Sequence, residues 1–593
     1  MFVAWNIDAG LDLAGFGQYR VTDGRRSHIW ARGYFFDTDG TLRIDGEIGE
    51  WLAKEVGPGR LDRLVPGMNG CFSVVVVWPD AAQIDIGLDR LAAVPLYYHL
   101  DAQRVFLSDD FWQVARQVST LEYDPDAVTS MALVEYVTGP RTLLRGISEL
   151  QRAATHRLSV GDGSARLQSR SYWSLTYQEG KRRSADEWRK RLAKTLEGIF
   201  RRYGTAIRLR GWTVHIPLSG GQDSRLAMGL LHKTGVDLRA FSYGPPGNEE
   251  SVTASRVAGS LGIPFRFVPV TTPDYLTPAL IRLMTSRVGM RARFTAGIGG
   301  QLSLSGYSPA DVYMPGHPRG LVPDTPPSRV AFLVRTEKQA VQQLVDNQLL
   351  PVSDLLGSRL LPMTWGPEAK QKVIRADWDY DPVDPLGSMH RWEYNNTLRK
   401  LTLSEMRTYE EFGHWLLPFC DYEFIDFFHA VPARLRYYYT LYADTIAREL
   451  LVGELEGLRR IPIAYKGNVG AHRPSARDWV GLHLPKGVVG DWLVTRADRS
   501  KVREHQRSID ALPKHVSGPD PFDHWWLTSP GFRQGIIEML RDWDGMRGIV
   551  DVQALVGLLG RPLPRLFVRL GIPAFLTLRS FQELVETEIR QGR

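Results

Sequence analysis

The fold of the larger part of this chain is decided by the stretch VHIPLSGGQDSR, residues 214–225. A short apolar run ends in a glycine-rich turn, and a segment with helical apolar spacing follows at once. Glycine lets the backbone approach a ligand without interference from a Cβ atom, and the first N–H groups of a helix attract anions. Asp223 adds a carboxylate suited to Mg²⁺, and Ser224 adds a hydroxyl suited to a phosphate oxygen. The stretch therefore predicts a strand, a phosphate-binding loop and a helix.

Strands and helices alternate on the C-terminal side of this loop. Apolar runs at 214–218, 238–243 and 265–270 are typical of strands, and helical spacing is found at 223–234 and 252–261. Because parallel strands need long crossover connections, this alternation predicts βαβ units and a parallel sheet. Ligands of such sheets bind beyond the carboxyl ends of the strands, which is where the glycine-rich loop is expected to lie.

The composition indicates a globular chain with more than one domain. The chain has 593 residues, 43% of them hydrophobic, which is more than one core normally organises. No apolar run is long enough to span a membrane and no secretory leader is recognised, so a cytoplasmic location without a membrane partner is expected. The two cysteines, Cys71 and Cys420, exclude a disulfide framework and a cysteine-rich metal site. The net charge of +7 comes without a Lys/Arg block, so no nucleic-acid partner is expected.

The N-terminal region is predicted to form a separate, strand-rich domain that spans residues 1–175. Its apolar runs are divided by short polar turns, as expected for neighbouring antiparallel strands. The predicted strands are 71–77, 82–88, 96–100 and 105–108.

The run DRLAAVPLYY, residues 89–98, resembles a signature of the glutaminase-type domain of asparagine synthetases and their relatives. In that family the nucleophile is a cysteine directly after the initiator methionine, and the freed amine acts as its base. Here Phe2 stands at that position, and Cys71 lies within an apolar strand, where a thiol is normally inert packing. The resemblance implies a glutaminase-like (Ntn-type) β-sandwich without its nucleophile, kept as a scaffold or a partner-binding module.

The Ser-Gly-Gly-x-Asp-Ser pattern of the loop resembles the PP-loop of ATP pyrophosphatases, which release AMP and pyrophosphate, and it differs from a Walker loop. Both motifs together resemble the asparagine synthetase and β-lactam synthetase superfamily. This implies that residues 185–593 form a PP-loop α/β synthetase domain with a helical extension, so the fold class is α/β and α+β. It also implies ATP and Mg²⁺ as cofactors, with Asp223 as the metal ligand. The residues expected to bind ATP are Leu218, Ser219, Gly220, Gly221, Asp223, Ser224, Ser242, Tyr243 and Gly316.

The second glycine motif of that superfamily is altered in this chain. Its best match is PGHPRG, residues 315–320, which lacks the usual carboxylate for Mg²⁺. Three alternatives follow: Asp311 supplies the carboxylate, Asp324 supplies it, or Asp223 carries the metal mostly alone. His317 is a candidate catalytic base, because the pKa of imidazole lies near neutrality, or else a solvated loop residue.

Two later segments resemble the remaining landmarks of the superfamily. Residues 413–421 resemble a closing P-F-L-D motif, and the glutamate of a catalytic pair is expected upstream of it. Glu405 is the acid nearest to the expected spacing, and Glu393 is its rival. The run RIPIAYKG, residues 460–467, resembles a loop that places a lysine, here Lys466, where it stabilises the negative charge of the reacting centre.

Within the superfamily, the chain resembles the lasso peptide cyclases. Four features favour this assignment. They are the length of the chain, the arginine at position 225 directly after the loop motif, the missing nucleophile and the altered second motif. The resemblance implies that the enzyme adenylates an Asp or Glu side chain of a leader-cleaved core peptide, and that the N-terminal amine of the peptide then closes a macrolactam. The core peptide, a leader-binding protein and a leader peptidase are the expected partners. The alternative is a β-lactam synthetase-like enzyme or another small-molecule amide ligase.

Overall fold

The structure is a computed structural model with an antiparallel N-terminal part and a parallel-sheet C-terminal part. It describes residues 1–6, 10–21, 25–57, 59–161, 164–178, 183–271, 276–295, 298–299, 301, 311–316, 334–349, 354–436, 440–463, 522–561, 563 and 567–590.

Two antiparallel sheets form the N-terminal part, as its strand-rich sequence predicts. In chain order the strands are β1 Phe2–Asn6, β2 Gly10–Ala14, β3 Gly17–Arg20, β4 Arg26–Phe36, β5 Leu42–Ile44, β6 Asn69–Trp78, β7 Gln83–Leu88, β8 Tyr97–Leu100, β9 Arg104–Ser108, β10 Ser148–Glu149, β11 Ala154–Gly161 and β12 Ser164–Ser171. One sheet has the order β10-β8-β9-β1-β2, and the other has the order β12-β11-β7-β6-β4-β3 with β5 paired to β4.

Strand β6 is buried on both faces, which explains why its sequence is almost continuously apolar rather than alternating. Val75 and Val77 pack into the core between the two sheets, whereas Val74 and Val76 pack on the opposite face. That opposite face is covered by the helix Gly46–Glu55, which contributes buried leucine and isoleucine side chains. The sandwich therefore has a helix layer outside its second sheet.

A parallel sheet organises the C-terminal part, as the alternation of strands and helices predicts. Its strands are β13 Thr213–Pro217, β14 Asp237–Gly244, β15 Phe265–Pro269, β16 Val312–Tyr313 and β17 His414–Trp415. The strand order is β15-β14-β13-β16-β17, and each neighbouring pair is parallel. Strands β14 and β15 thus lie on one side of β13, and β16 and β17 lie on the other. The crevice beside β13 at the carboxyl ends of the strands is the place where such sheets bind ligands.

Helices cover this sheet and make up most of the remaining part of the chain that the structure describes. The α-helices are α1 Gly46–Glu55, α2 Leu61–Leu64, α3 Phe111–Ala115, α4 Pro125–Val134, α5 Ala185–Arg210, α6 Gln222–His232, α7 Glu249–Gly259, α8 Pro278–Val288, α9 Glu337–Gln348, α10 Asp354–Leu360, α11 Ala369–Arg375, α12 Pro385–Glu393, α13 Met406–Tyr409, α14 Tyr422–His429, α15 Ala433–Arg436, α16 Thr440–Thr445, α17 Glu456–Arg460, α18 Phe522–Thr528, α19 Pro530–Arg541, α20 Gly545–Gly548, α21 Val552–Leu559 and α22 Ile572–Leu584. Turns of 3₁₀-helix are Val65–Gly67, Pro79–Ala81, Leu403–Glu405, Pro418–Cys420 and Gly453–Leu455, and π-helical segments are Tyr394–Thr402, Ile446–Leu450, Phe567–Gly571 and Val585–Arg590. Within the described residues, no helix has both the length and the apolar character needed to cross a membrane.

The run at 89–98 joins the two parts of the molecule. Asp89 is fully buried and its carboxylate accepts three backbone N–H hydrogen bonds, which fix the turn after β7. The next residue, Arg90, reaches the C-terminal part, where its Nη1 lies 2.6 Å from Asp426 Oδ1. Its guanidinium also lies 3.9 Å from the centroid of the Tyr422 ring. This signature therefore has a structural role in the present chain.

A buried ion cluster is the second connection between the two parts. Glu149 on β10 has no exposed side-chain surface, and its carboxylate lies 2.9 Å from Lys400 Nζ and 3.0 Å from Arg399 Nη2. Arg291 Nε is 3.4 Å from the same carboxylate. Although burial opposes ionisation, the charges of Arg291, Lys400 and Arg399 lower the pKa of Glu149 to about 2. The N-terminal part thus neutralises cations that belong to the C-terminal part.

Candidate functional site

The predicted phosphate-binding loop lies at the carboxyl end of β13, the central strand of the parallel sheet. The backbone N–H of Leu218 still donates to the Phe241 carbonyl, at 2.7 Å, so the loop begins only after this residue. Ser219 N–H then donates to Ser224 Oγ at 3.2 Å, and Gly221 N–H donates to Ser219 Oγ at 3.1 Å. The two serine hydroxyls are 3.0 Å apart. These bonds hold the loop in a tight turn.

Helix α6 begins directly at this loop. Its N-cap residue is Gly221, which has no side chain to accept hydrogen bonds from the first turn. The first-turn N–H groups therefore point toward the loop without a side-chain cap, an arrangement that suits an anionic group. Asp223 lies in this first turn and Ser224 is buried beside it. The loop thus fits the phosphates of a nucleotide, and Asp223 lies in the helical turn next to it.

Gly316, which follows β16, contacts this loop closely. A Cβ atom at residue 316 would lie 2.4 Å from both the Cα and the N atom of Ser224, and 2.9 Å from the carbonyl carbon of Asp223. Real Cβ atoms do not approach so closely, so only glycine allows the two loops to touch. The structure therefore brings together the two glycine segments that the sequence analysis assigned to one site.

The end of β14 forms the neighbouring side of this edge. Ser242 is buried within the strand, paired with Phe267 of β15, and Tyr243 follows it. A Cβ atom at residue 299 would lie 1.9 Å from Cζ of Tyr243, so the tyrosine ring occupies the space above Gly299. Both predicted adenosine-binding residues thus lie at the same edge of the sheet as the Ser219–Ser224 loop.

A pair of tyrosines connects β16 to Glu405. The ring of Tyr313 stacks on the ring of Tyr409, with centroids 3.6 Å apart and planes inclined by 16°. The hydroxyl of Tyr409 donates a hydrogen bond to Glu405 Oε1, one helical turn earlier. Tyr313 lies three residues before Gly316, which contacts the loop. Glu405 is thus connected to the loop through Tyr409, Tyr313 and the residues that lead to Gly316. The sequence analysis missed Tyr409, although its spacing of four residues from Glu405 is a detectable signal.

The pKa values of the two stacked tyrosines indicate which group of the Tyr409–Glu405 pair carries a proton. Burial, and then the neighbouring Glu405 carboxylate, raise the pKa of Tyr409 well above its usual range, and the same two causes raise the pKa of Tyr313. Both phenols therefore stay protonated at neutral pH, and the Tyr409 hydroxyl donates its hydrogen bond to Glu405. Only the half-buried carboxylate of Glu405 is able to accept a proton here.

The rival acid, Glu393, has a different environment. It accepts a hydrogen bond of 2.7 Å from Gln348 Nε2 on α9. Burial raises its pKa to about 8, against the opposing effect of that hydrogen bond. Glu393 thus contacts α9, whereas Glu405 contacts Tyr409, which stacks on Tyr313 of β16. The assignment of Glu405 as the acid of this site stays a prediction.

Asp311 is excluded as the second metal carboxylate by its position. It precedes β16, at the amino ends of the strands, and its Oδ2 lies 2.9 Å from Nε2 of the buried His215. The loop with Asp223 lies at the opposite edge of the sheet. In the described part of the chain, no three His, Cys, Asp or Glu side chains cluster as a metal site. Asp324, the other alternative, lies outside the described residues, so the assignment of Asp223 as the metal ligand stays a prediction.

Two of the predicted catalytic residues, His317 and Lys466, also lie outside the described residues. Their assigned roles therefore stay predictions. Gly316, the residue before His317, contacts the loop, and Arg225 at the end of the loop motif contacts Ile461 and Pro462.

Glu249 and Glu250 occupy the first turn of α7, as expected for acids at the start of a helix. Asn248 is the N-cap residue, and its side chain accepts the backbone N–H of Ser251 at 2.9 Å. Burial raises the pKa of Glu250 to about 7, although the charge of Arg569 opposes this shift. The position of this pair thus explains the two acids as helix-start residues.

The N-terminal part holds no reactive cysteine at the position where a glutaminase needs one. The ring of Phe2 stacks on Phe106 with centroids 6.4 Å apart, and the Met1 amine donates to Asp109 Oδ1 at 2.7 Å. Cys71 and Cys420 are free and buried, and burial raises the pKa of both thiols. The expectation that Cys71 is packing rather than a nucleophile agrees with these surroundings.

Comparison with known proteins identifies the type of the N-terminal part. Residues 43–173 match the family model of a glutamine amidotransferase domain. Among curated proteins, no sequence matches this chain. Similar solved structures include glutamine phosphoribosylpyrophosphate amidotransferase from B. subtilis complexed with ADP and GMP, with 8% identity, 42% of this chain and 72% of that chain covered, and a TM-score of 0.19. Another is the allosteric regulatory enzyme of purine biosynthesis, with 8% identity and a TM-score of 0.18. This match covers 50% of the present chain and 56% of that enzyme's chain.

The domain match confirms that the N-terminal part is of the glutamine amidotransferase type. It supports the resemblance to asparagine synthetase-like proteins, in which such a domain precedes an amide-forming one. The two solved structures are too distant, at these TM-scores, to add to that conclusion. The lasso peptide product, ATP and Mg²⁺ stay predictions from the sequence.

Proposed function

We propose that this chain is an ATP-dependent, AMP-forming carbon–nitrogen ligase that closes the macrolactam ring of a lasso peptide. The observation that carries the proposal is the glycine-rich loop at residues 219–224, which lies beside the switch point of the parallel sheet and is contacted by Gly316. The amidotransferase-type domain, with Phe2 in place of a nucleophile, supports an acceptor amine other than glutamine-derived ammonia.

The proposed reaction has two steps. The Asp or Glu side chain of a leader-cleaved core peptide attacks the α-phosphate of ATP and releases pyrophosphate. The peptide's N-terminal amine then attacks the activated carbonyl, which forms the amide bond, expels AMP and gives up one proton. The protein holds the two reacting groups together, an effect worth roughly 7–11 kcal/mol of the barrier in well-oriented reactions.

The residues of the site have distinct tasks in this proposal. The first-turn N–H groups of α6 and the hydroxyls of Ser219 and Ser224 bind the phosphates, and Asp223 would hold Mg²⁺, which offsets the phosphate charge. Glu405 takes the proton from the attacking amine, directly or in partnership with His317, while Tyr409 orients its carboxylate. Lys466 stabilises the charge on the leaving phosphate.

The decisive experiment is incubation of the full chain with ATP, Mg²⁺ and a leader-cleaved core peptide, with and without the leader-binding protein and peptidase. We expect the peptide to lose the mass of one water while AMP and pyrophosphate appear. Asp223→Ala should abolish AMP formation and keep the fold. The matched control is Asp237→Ala, which removes an exposed carboxylate at the amino end of β14. AMP formation that is unchanged in Asp223→Ala would refute the assigned site.

A β-lactam synthetase-like or other small-molecule amide ligase is the second candidate. The Tyr409–Glu405 pair favours it, because the resemblance to β-lactam synthetases implies a catalytic tyrosine–glutamate pair, although their tyrosine lies in the second glycine motif, where this chain has His317. The same assay separates the two candidates. AMP formed only with small carboxylates, and no dehydrated peptide, would replace the lasso proposal with this one.

A further inference from the structure

Arg225, the residue that directly follows the loop motif, is almost completely buried although it carries a charge. Its guanidinium hydrogen-bonds to backbone carbonyl oxygens from two distant segments. Nη1 donates to the carbonyls of Leu458, at 2.8 Å, and Ile461, at 2.6 Å. Nη2 lies 3.4 Å from the carbonyl oxygens of both Gly220 and Pro462. One side chain thus bridges the predicted phosphate-binding loop and the segment Leu458–Pro462.

A second contact holds the same two elements together. Gly229 lies one helical turn after Arg225 and therefore on the same face of α6. A Cβ atom at residue 229 would lie 2.9 Å from Leu458 Cδ1 and 3.1 Å from Leu455 Cδ1. The helix that begins at the loop is therefore packed closely against the end of α17 and the residues before it. Arg225 completes that contact with hydrogen bonds at the end of α6 nearest the loop.

Burial has a clear electrostatic consequence for this residue. It lowers the pKa of Arg225 to about 10, so the guanidinium still carries its charge at neutral pH. A buried cation is costly unless polar groups surround it, and hydrogen bonds from charged groups are worth about 1.5–3 kcal/mol each. Only a planar guanidinium reaches several carbonyl oxygens at once in this way, and a lysine ammonium replaces it poorly.

We propose that Arg225 is a positioning residue that holds the segment Leu458–Pro462 on the nucleotide loop, so that the two move as one unit. The catalytic meaning of this inference rests on the proposed function, because the predicted adenylation lysine, Lys466, follows four residues after Pro462 in the sequence. The structural part concerns only described residues and is independent of which reaction the chain performs.

The structural part is tested by hydrogen exchange on the free protein. We compare Arg225→Met, Arg225→Lys and wild type, and follow the amides of residues 455–463. The control is Arg391→Lys, because Arg391 is also buried and also donates to backbone carbonyls, at 3.0 Å for Leu175, but lies away from the loop. We expect Arg225→Met to raise exchange in this segment by at least about tenfold, since two short charged hydrogen bonds are lost. Unchanged exchange in that segment, or an equal rise in Arg391→Lys, would overturn the inference.

The functional part is tested with ATP–pyrophosphate exchange in the presence of the core peptide. Because the bonds among Ser219, Gly221 and Ser224 are untouched, KM for ATP should stay within about threefold, while kcat falls at least about tenfold. Arg225→Lys should recover part of kcat, and it also serves if Arg225→Met does not fold. A raised KM with unchanged kcat would contradict the positioning role. A wild-type protein that forms no AMP would refute the proposed function, whereas the hydrogen-exchange result would still decide on the bridge.

Discussion

Gly316→Ala is the substitution that most directly tests whether two separate glycine segments form one nucleotide site. It adds a single methyl group, and that group would lie 2.4 Å from two backbone atoms of Ser224. Carbon atoms pack without repulsion at about 3.5–4.0 Å, so the two loops have to separate by about 1 Å. Because the neighbouring atoms belong to the backbone, no side-chain rotation relieves the contact.

The expected magnitude follows from this overlap. Inserting a methyl group into a closely packed contact costs about 1–3 kcal/mol. If the displaced element is the helix start that binds the phosphates, the cost appears as a loss in ATP affinity of about 5- to 140-fold, at 1.4 kcal/mol per tenfold. The melting temperature should change little, because the loop lies at the edge of the sheet and not in its core.

The assay is calorimetric titration of the protein with ATP and Mg²⁺, together with thermal unfolding of the same samples. Gly259→Ala is the matched control: it lies at the end of α7 in the same part of the molecule, and its Cβ would have no neighbour within 4 Å. It should bind ATP like the wild type. If Gly316→Ala also keeps the wild-type affinity, the contact between residues 316 and 224 does not shape the site, and the reasoning fails.

Two further predictions concern substitutions of Tyr409 and of Glu393. Tyr409→Phe removes the hydrogen bond to Glu405. Amide formation should therefore fall by at least about tenfold, while ATP-dependent pyrophosphate release persists. Equal loss of both steps would show that the Tyr409–Glu405 pair does not act on the amine. The second prediction concerns Glu393, whose pKa in the folded protein, about 8, lies above its usual value. The fold therefore favours the protonated carboxyl group. Its contribution to the free energy of unfolding is complete at low pH and is lost as the pH rises through about 8. Glu393→Gln, which still accepts the bond from Gln348, should therefore raise the melting temperature at pH 9 and leave it nearly unchanged at pH 5, with wild-type activity. A catalytic role for Glu393 would instead appear as lost activity at both pH values.

The elements that local sequence decides were predicted well. The apolar run 214–218, the glycines after it and the helical spacing beyond it correspond to β13, the loop and α6 within two residues. The same holds for β14 and β15, because each is an apolar run bounded by turn residues. Local pattern suffices here because the period of side-chain burial differs between strands and helices.

The remaining features depend on contacts between residues far apart in the chain. Strands β16 and β17 have two residues each, too few to show any period. Only the pairing of β16 with β13, and of β17 with β16, defines them. The stacking of Tyr313 on Tyr409 and the contact of Gly316 with Ser224 likewise join separate segments. Asp311 was an acceptable metal ligand by sequence, and only the direction of β16 places it at the wrong edge of the sheet.

The ion cluster at Glu149 gives the amidotransferase-type domain a structural role. Three cations of the C-terminal part, Arg291, Arg399 and Lys400, are buried around this one carboxylate of the N-terminal part. Removing one partner of a buried ion pair costs about 3–5 kcal/mol, because the charge left behind has neither water nor a counter-ion. Without the N-terminal part all three would lose that partner, and Arg90 would no longer reach Asp426. These contacts show that the amidotransferase-type domain contributes to the packing and charge balance of the parallel-sheet part.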